Sequence, residues 1–177
     1  MQKTVIVING SGGVGKDTLC DIAADRFSVW NISSIDPIKE LAAISGWNGD
    51  KSDRSRKFLA DLKQLTVTYN DYPLRWLMAR YETFLTDEHD ILFVHIREPK
   101  EIEKFVKAIR AVDGKILTLL VRGGERLKNS RGDKAYGNAA DDNVEKYDYD
   151  YIFVNDKTLN EAEFEFCNFL LEVKGED

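Results

Sequence analysis

Short apolar runs alternate along the chain with segments in which apolar residues recur every three or four positions. Thr4–Asn9 is a compact β-branched run of strand length. Leu19, Ile22, Ala23 and Phe27 then recur at helical spacing, which predicts a helix from about Lys16 to Phe27. Val29–Ser33 is a short second strand ending near Asp36-Pro37. Proline suits the first turn of a helix, so Pro37–Ile44 is predicted helical, with Asp36 as a candidate cap and Gly46 closing it. A polar, loop-like stretch, Gly46–Ser55, precedes two more helical patterns. Phe58, Leu62, Leu65 and Tyr69 mark the first; Leu74, Leu77, Tyr81, Phe84 and Leu85 mark the second.

The apolar runs Ile91–Ile96 and Ile116–Val121 have the length and composition of strands buried on both faces. Between them Ile102, Phe105, Val106 and Ile109 mark a helix. Arg122–Val144 is polar, contains glycine and has no clear periodicity, and a loop of that length usually carries function. Tyr151–Val154 makes a fifth strand; Ala162, Phe166, Phe169, Leu170 and Val173 make a final helix. Strands that alternate with helices predict an α/β fold: five parallel strands joined by right-handed crossovers and covered by helices. Periodicity alone leaves the strand order open. No internal repeat or linker interrupts the 177 residues, so a single domain over 1–177 is expected.

Composition narrows the partners. Hydrophobic residues make up 43% of the chain and charged residues 32%, a globular balance, and the net charge is −6. A diffuse basic surface for nucleic acid or an anionic membrane is therefore not expected, and an anion must be held by a few placed groups. The apolar runs are far shorter than a membrane span, and Val5–Ile8 is too short for the core of a signal peptide. Cys20 and Cys167 lie on helical patterns among apolar residues and read as buried reduced thiols, which makes a cytoplasmic location the expectation.

The strongest chemical signal is Gly10-Ser11-Gly12-Gly13-Val14-Gly15-Lys16-Asp17-Thr18. It fits the phosphate-loop pattern G-x-x-x-x-G-K, with Asp17 where Ser or Thr is usual and Thr18 one place later. Glycines let main-chain N–H groups converge on phosphate oxygens, and the helix that starts there adds its unpaired N–H groups and dipole. A strand ends at Asn9 and a helix begins at Lys16, as the chemistry requires. Lys16, expected to face solvent in the empty loop, is placed to meet the β- and γ-phosphates of ATP. Asp17 is either a ligand of Mg²⁺, which takes oxygen donors, or a helix-capping carboxylate. Thr18 is the candidate hydroxyl for the α-phosphate.

With its Gly-Lys-Asp-Thr ending, this loop resembles that of phage-type deoxynucleoside monophosphate kinases; animal phosphomevalonate kinases share a Gly-Lys-Asp loop. The similarity continues in Ser34-Ile35-Asp36-Pro37-Ile38-Lys39, in Arg54-Ser55-Arg56-Lys57-Phe58-Leu59 followed by Trp76, and in His95-Ile96-Arg97-Glu98-Pro99-Lys100-Glu101. Asp141-Asp142-Asn143-Val144 and Tyr149–Asp156 resemble the closing segment of that family. His95 departs from the pattern, which has aspartate there. The resemblance implies a three-layer α/β/α sheet of order 2-3-1-4-5, an acceptor-binding helical region over about 37–86 and a lid over about 122–144. It further implies transfer of the γ-phosphoryl of ATP, with Mg²⁺, to a (deoxy)nucleoside monophosphate by a monomer or homodimer.

Ligands of open α/β sheets bind beyond the carboxyl ends of the strands, and the candidate roles follow from that. Asp36 either orients the acceptor or caps the helix after it. Lys39, Arg54 and Arg56 lie in the region that would hold the acceptor phosphate. Arg97 directly follows a buried strand, where a charge is hard to assign to solvated surface. His95 beside it is either a core or a site residue. Arg126 and Arg131 belong to the long polar segment, where a closing lid would bring them onto ATP phosphates. Other readings remain: a kinase of another small acceptor, of the dephospho-coenzyme A or phosphomevalonate type, and a nucleotide-binding protein without kinase activity.

Overall fold

The computed structural model describes residues 3–123 and 143–175. Five strands, β1 (Thr4–Asn9), β2 (Val29–Ser33), β3 (Ile91–His95), β4 (Ile116–Gly123) and β5 (Tyr151–Asn155), form one sheet of order β2-β3-β1-β4-β5. Every neighbouring pair is parallel. This is the predicted sheet, in the order that the family resemblance implies.

Side-chain alternation along the strands divides the core in two. Ile6 and Ile8 of β1, Ile91 and Phe93 of β3, and Leu117, Leu119 and Val121 of β4 face α1 (Lys16–Ala24) and the last helix, here α6 (Leu159–Lys174). Val5 and Val7, with Leu92 and Val94, face the opposite way. There they pack under Leu77, Tyr81 and Phe84 of α4 (Tyr72–Thr86) and Ile102, Phe105, Val106 and Ile109 of α5 (Pro99–Arg110). Helices therefore cover both faces of the sheet, giving a three-layer α/β/α architecture. Phe84, Phe93, Phe105 and Phe166 are fully buried, each worth about 1.5–3 kcal/mol relative to exposure.

The remaining helices, α2 (Asp36–Ile44) and α3 (Asp53–Asn70), stand after β2, at the sheet's carboxyl edge. α3 begins inside the stretch expected to be loop, because the Ser52 hydroxyl accepts from Ser55 N–H and caps it. α1 is shorter than predicted. It closes at Asp25, and Phe27 then packs against the core from outside the helix.

Asp36 needs a correction. It is the first residue of α2 and not its cap; the capping position is Ile35, which has no side chain to offer. The Asp36 carboxylate turns back instead and accepts from Ser33 N–H at 2.7 Å. Gly46 ends α2 as expected, with φ +92°. The segment that carries Arg126 and Arg131, and with it most of the expected lid, lies outside the described residues. No helix among the described residues is long and apolar enough to cross a membrane.

Candidate active site

The strand register brings the candidate residues to one edge. Ile8 pairs with His95, and His95 with Ser33. The glycine loop after β1, Arg97 two residues beyond β3, and Asp36 three residues beyond β2 therefore emerge side by side. The charges that act on the His95 ring give the same picture: Asp17, Lys16, Asp36 and Arg97.

Between Asn9 and α1 the loop turns through Gly10 (φ +152°), Gly13 (φ +80°) and Gly15 (φ +91°). No side chain caps α1, and the first N–H groups of a helix have no acceptor within it, which suits its start to an anion. Asn155, at the end of β5, donates from Nδ2 to Val14 O at 2.9 Å and so ties the far side of the loop to the sheet. Lys16 is half-buried and does not face solvent as expected. Its ammonium folds over the loop and donates to Gly10 O at 2.7 Å and Ser11 O at 3.3 Å. A polyphosphate competes more strongly than these carbonyls for the same ammonium. Asp17 and Thr18 are exposed in the first turn of α1, where a carboxylate is favoured by the helix dipole.

Asn9 is the hub that periodicity missed. Its Oδ1 accepts from Gly10 N–H at 2.9 Å, while its Nδ2 donates to Arg97 O at 3.2 Å and to Tyr149 Oη at 2.8 Å. The Tyr149 hydroxyl in turn donates to Val144 O at 3.0 Å. Burial pushes that phenol up to about 12, so it stays protonated and holds its geometry. A polar residue closing a buried strand immediately before the glycines was the available signal for Asn9.

Arg97 is exposed, its backbone fixed through Asn9, and among the described residues no carboxylate lies within ion-pair distance of its guanidinium. His95 lies beneath it, with Nε2 3.9 Å from Cys20 Sγ. Burial holds the imidazole below its ordinary value; Asp17 and Asp36 pull the other way, while Lys16 and Arg97 reinforce the depression. His95 is thus neutral at neutral pH, and the positive charge of the site resides on Lys16 and Arg97. Burial also pushes the Cys20 thiol up to about 12, which removes it as a nucleophile.

The acceptor candidates separate. Lys39 reaches to within 3.9 Å of Asp36 Oδ1 and belongs to the same edge. Arg54 and Arg56 lie in the first turn of α3. Arg56 pairs with Asp53 at 3.7 Å on the exposed surface. Arg54 lines a cleft of about 530 Å³ with Trp47, Asn48, Asp50, Ser55 and Phe58, a volume suited to a small ligand. The cleft wall is held rigid, because Asp50 accepts from Ser55 Oγ at 2.6 Å and Ser52 N–H at 2.9 Å. The buried Trp47 Nε1 has no partner among the described residues. No group of three or more His, Cys, Asp or Glu side chains suited to a metal occurs among the described residues.

No protein-family model matches the chain, and no curated protein sequence matches it. Solved structures do. A tunicamycin resistance protein of Deinococcus radiodurans is similar with TM-score 0.60 at 12% identity, over 96% of this chain and 96% of that one. A mutant APS kinase of Mycobacterium tuberculosis is similar with TM-score 0.51 at 14% identity, over 96% and 97%. At such identities the likeness shows the fold alone. Strand order, parallel sheet and glycine loop together define this chain as a protein of the P-loop NTPase fold.

Proposed function

We propose that the protein is an ATP-dependent phosphotransferase that moves the γ-phosphoryl group to a (deoxy)nucleoside monophosphate, giving the diphosphate and ADP. The observation that carries this reading is the shared edge: a glycine loop with its lysine at one side, and Arg97, which pairs with no carboxylate among the described residues, with Asp36 and Lys39 at the other. Phosphoryl transfer asks chiefly for positioning and for cations around a charge-rich transition state, and this edge supplies both. Gly10–Gly15, the start of α1, Lys16 and Thr18 hold the triphosphate in this reading. Arg97 and Lys39 draw in the acceptor's phosphate, and Asp36, fixed by Ser33 N–H, orients the attacking oxygen. Arg54 marks the neighbouring cleft as a place for the rest of the acceptor.

The exposed carboxylate of Asp17 fits Mg²⁺ held jointly with the phosphates. Bound there, the ion would neutralise charge on the transferred group.

ADP release measured across a panel of nucleoside and deoxynucleoside monophosphates tests the reading; dephospho-coenzyme A and phosphomevalonate are included as other acceptors. Turnover on one or more monophosphates is expected. Silence on all of them, with turnover on another acceptor, rejects the nucleotide assignment, and tight ATP binding with no turnover at all rejects the kinase.

Two further outcomes follow from the geometry. Arg97→Ala is expected to lower turnover about 100-fold, the scale of one preorganised donor to developing charge. Arg56→Ala, which removes an exposed ion pair, should stay within about threefold. Steady-state kinetics with the reverse ranking would disprove this placement of the acceptor phosphate. Asp17→Ala is expected to shift the magnesium concentration for half-maximal rate upward, by about tenfold for one lost carboxylate ligand. An unchanged magnesium titration would leave Asp17 with its helix-end role only.

A further inference from the structure

Arg97 stands beside two carboxylates and pairs with neither. Glu98 follows it directly and is the N-cap of α5; Glu101 lies one turn further on. Lys63, which reaches across from α3, donates to Glu98 and lies within ion-pair distance of Glu101, whose buried Oε2 receives no hydrogen bond among the described residues. The Lys63 Nζ lies 2.8 Å from Glu98 Oε2 and 2.9 Å from Glu101 Oε2. The Lys63 side chain is only 13% exposed, unlike the lysine of an ordinary surface pair.

We propose that Lys63 is a positioning residue for the anion site at Arg97: it holds Glu98, so that this carboxylate does not close on the neighbouring guanidinium. The inference rests on the phosphotransferase reading for its kinetic consequence, though not for its structural one.

The competition is physical. A carboxylate and a phosphate present similar oxygen pairs to a guanidinium, and an attached carboxylate needs no binding event to reach it. Glu98 is the carboxylate next to Arg97 in the chain, and it is the one that accepts the Lys63 hydrogen bond. The electrostatics agree. Burial raises Glu98, but the Lys63 hydrogen bond and charge outweigh it and hold Glu98 below the usual carboxylate range. Burial and the nearby Glu98 charge push Glu101 up, with Lys63 opposing them in part.

The same contacts locate α3. Its only fully buried residue is Ser55, so apolar packing alone leaves its position weakly defined. Lys63 fixes it to the start of α5. Lys104 of α5 adds a second tie, with Nζ 2.7 and 2.8 Å from the carboxylate oxygens of Asp71 at the α3–α4 junction. The helix that carries Arg54 is thereby registered against the strand end that carries Arg97.

The test compares Lys63→Met, Lys63→Arg and the double variant Lys63→Met/Glu98→Gln. Two readouts are used: KM for the accepted monophosphate against KM for ATP, and the phenylglyoxal modification rate of Arg97 followed by mass spectrometry. Lys63→Met is expected to raise acceptor KM about tenfold, the scale of one charge-assisted hydrogen bond. ATP KM should hold, and Arg97 should react more slowly as Glu98 captures it. The double variant should recover both values, and Lys63→Arg should retain them. Unchanged Arg97 reactivity in Lys63→Met overturns the proposal. So does a loss that Glu98→Gln fails to recover, which would mark Lys63 as a helix anchor alone. Should the wild type turn over no acceptor, the phosphotransferase reading fails, and the modification rates still decide the role of Lys63.

Discussion

Lys16→Ala is expected to lower turnover by about 1,000-fold, as removal of a preorganised cation at developing charge does, while the melting temperature stays close to that of the wild type. The structural cost is small because the Lys16 ammonium donates to Gly10 O and Ser11 O at the half-buried rim of the loop, where water can take its place and the net loss stays below about 1 kcal/mol. The catalytic cost is large because Lys16 and Arg97 are the cations gathered around His95, whose own ring is neutral. Lys39 cannot substitute, since it sits beside Asp36 across the edge. Single-turnover rates with saturating ATP separate chemistry from binding. A rate within tenfold of wild type would mean that the transferred phosphate does not sit where the lysine can reach it.

The sheet was legible because its strands are short apolar runs punctuated by helical spacing. Ile91–Ile96 and Ile116–Val121 carry no competing periodicity, and the right-handed crossover rule leaves few arrangements for five parallel strands. Their order came from the family resemblance, since burial on both faces makes central strands alike. β5 shows the opposite condition: it lies at the edge, with Ile152 and Val154 about half exposed, yet it reads like a core strand. Boundaries moved where a single side chain intervened, as Ser52 did in starting α3 early.

Of the candidate site, the place of the glycine loop between β1 and α1 was legible because Gly10, Gly13 and Gly15 meet a demand of backbone geometry, a positive φ, rather than of packing. Asp36 was not. Sequence left its carboxylate either to orient the acceptor or to cap the helix; the cap is Ile35, and the carboxylate accepts from Ser33 N–H at the strand end, a partner that neither reading named. Asn9, Asn155 and Lys63 were missed for a common reason: their partners, Arg97 O, Val14 O, Glu98 and Glu101, are distant in the chain. Spacing rules see contacts within an element and are blind to those the sheet order creates.

Gly10→Ala tests how far the loop's shape depends on its strand neighbours. A Cβ at Gly10 would stand 2.4 Å from Val121 O and 2.9 Å from Val14 Cγ2. Val121 belongs to β4, which is paired to β1 with Asn9 opposite Leu120, so neither backbone can withdraw without breaking the ladder. The φ of +152° adds strain for any residue with a side chain. The expected cost is about 3 kcal/mol, which for a chain of this size lowers Tm by about 6–12 °C. Gly46→Ala is the control: its φ is +92°, but nothing lies within 4 Å of the added carbon, so it isolates the backbone penalty of about 1 kcal/mol. Differential scanning calorimetry of the two variants decides the matter. If Gly10→Ala melts within about 2 °C of Gly46→Ala, a gap under 1 kcal/mol at this chain length, then β4 does not crowd the loop. The stabilisation by added ATP and magnesium should also be smaller in Gly10→Ala, because any shift that relieves the clash moves Gly10 N–H away from Asn9 Oδ1 and opens the turn from which the phosphate cradle is built.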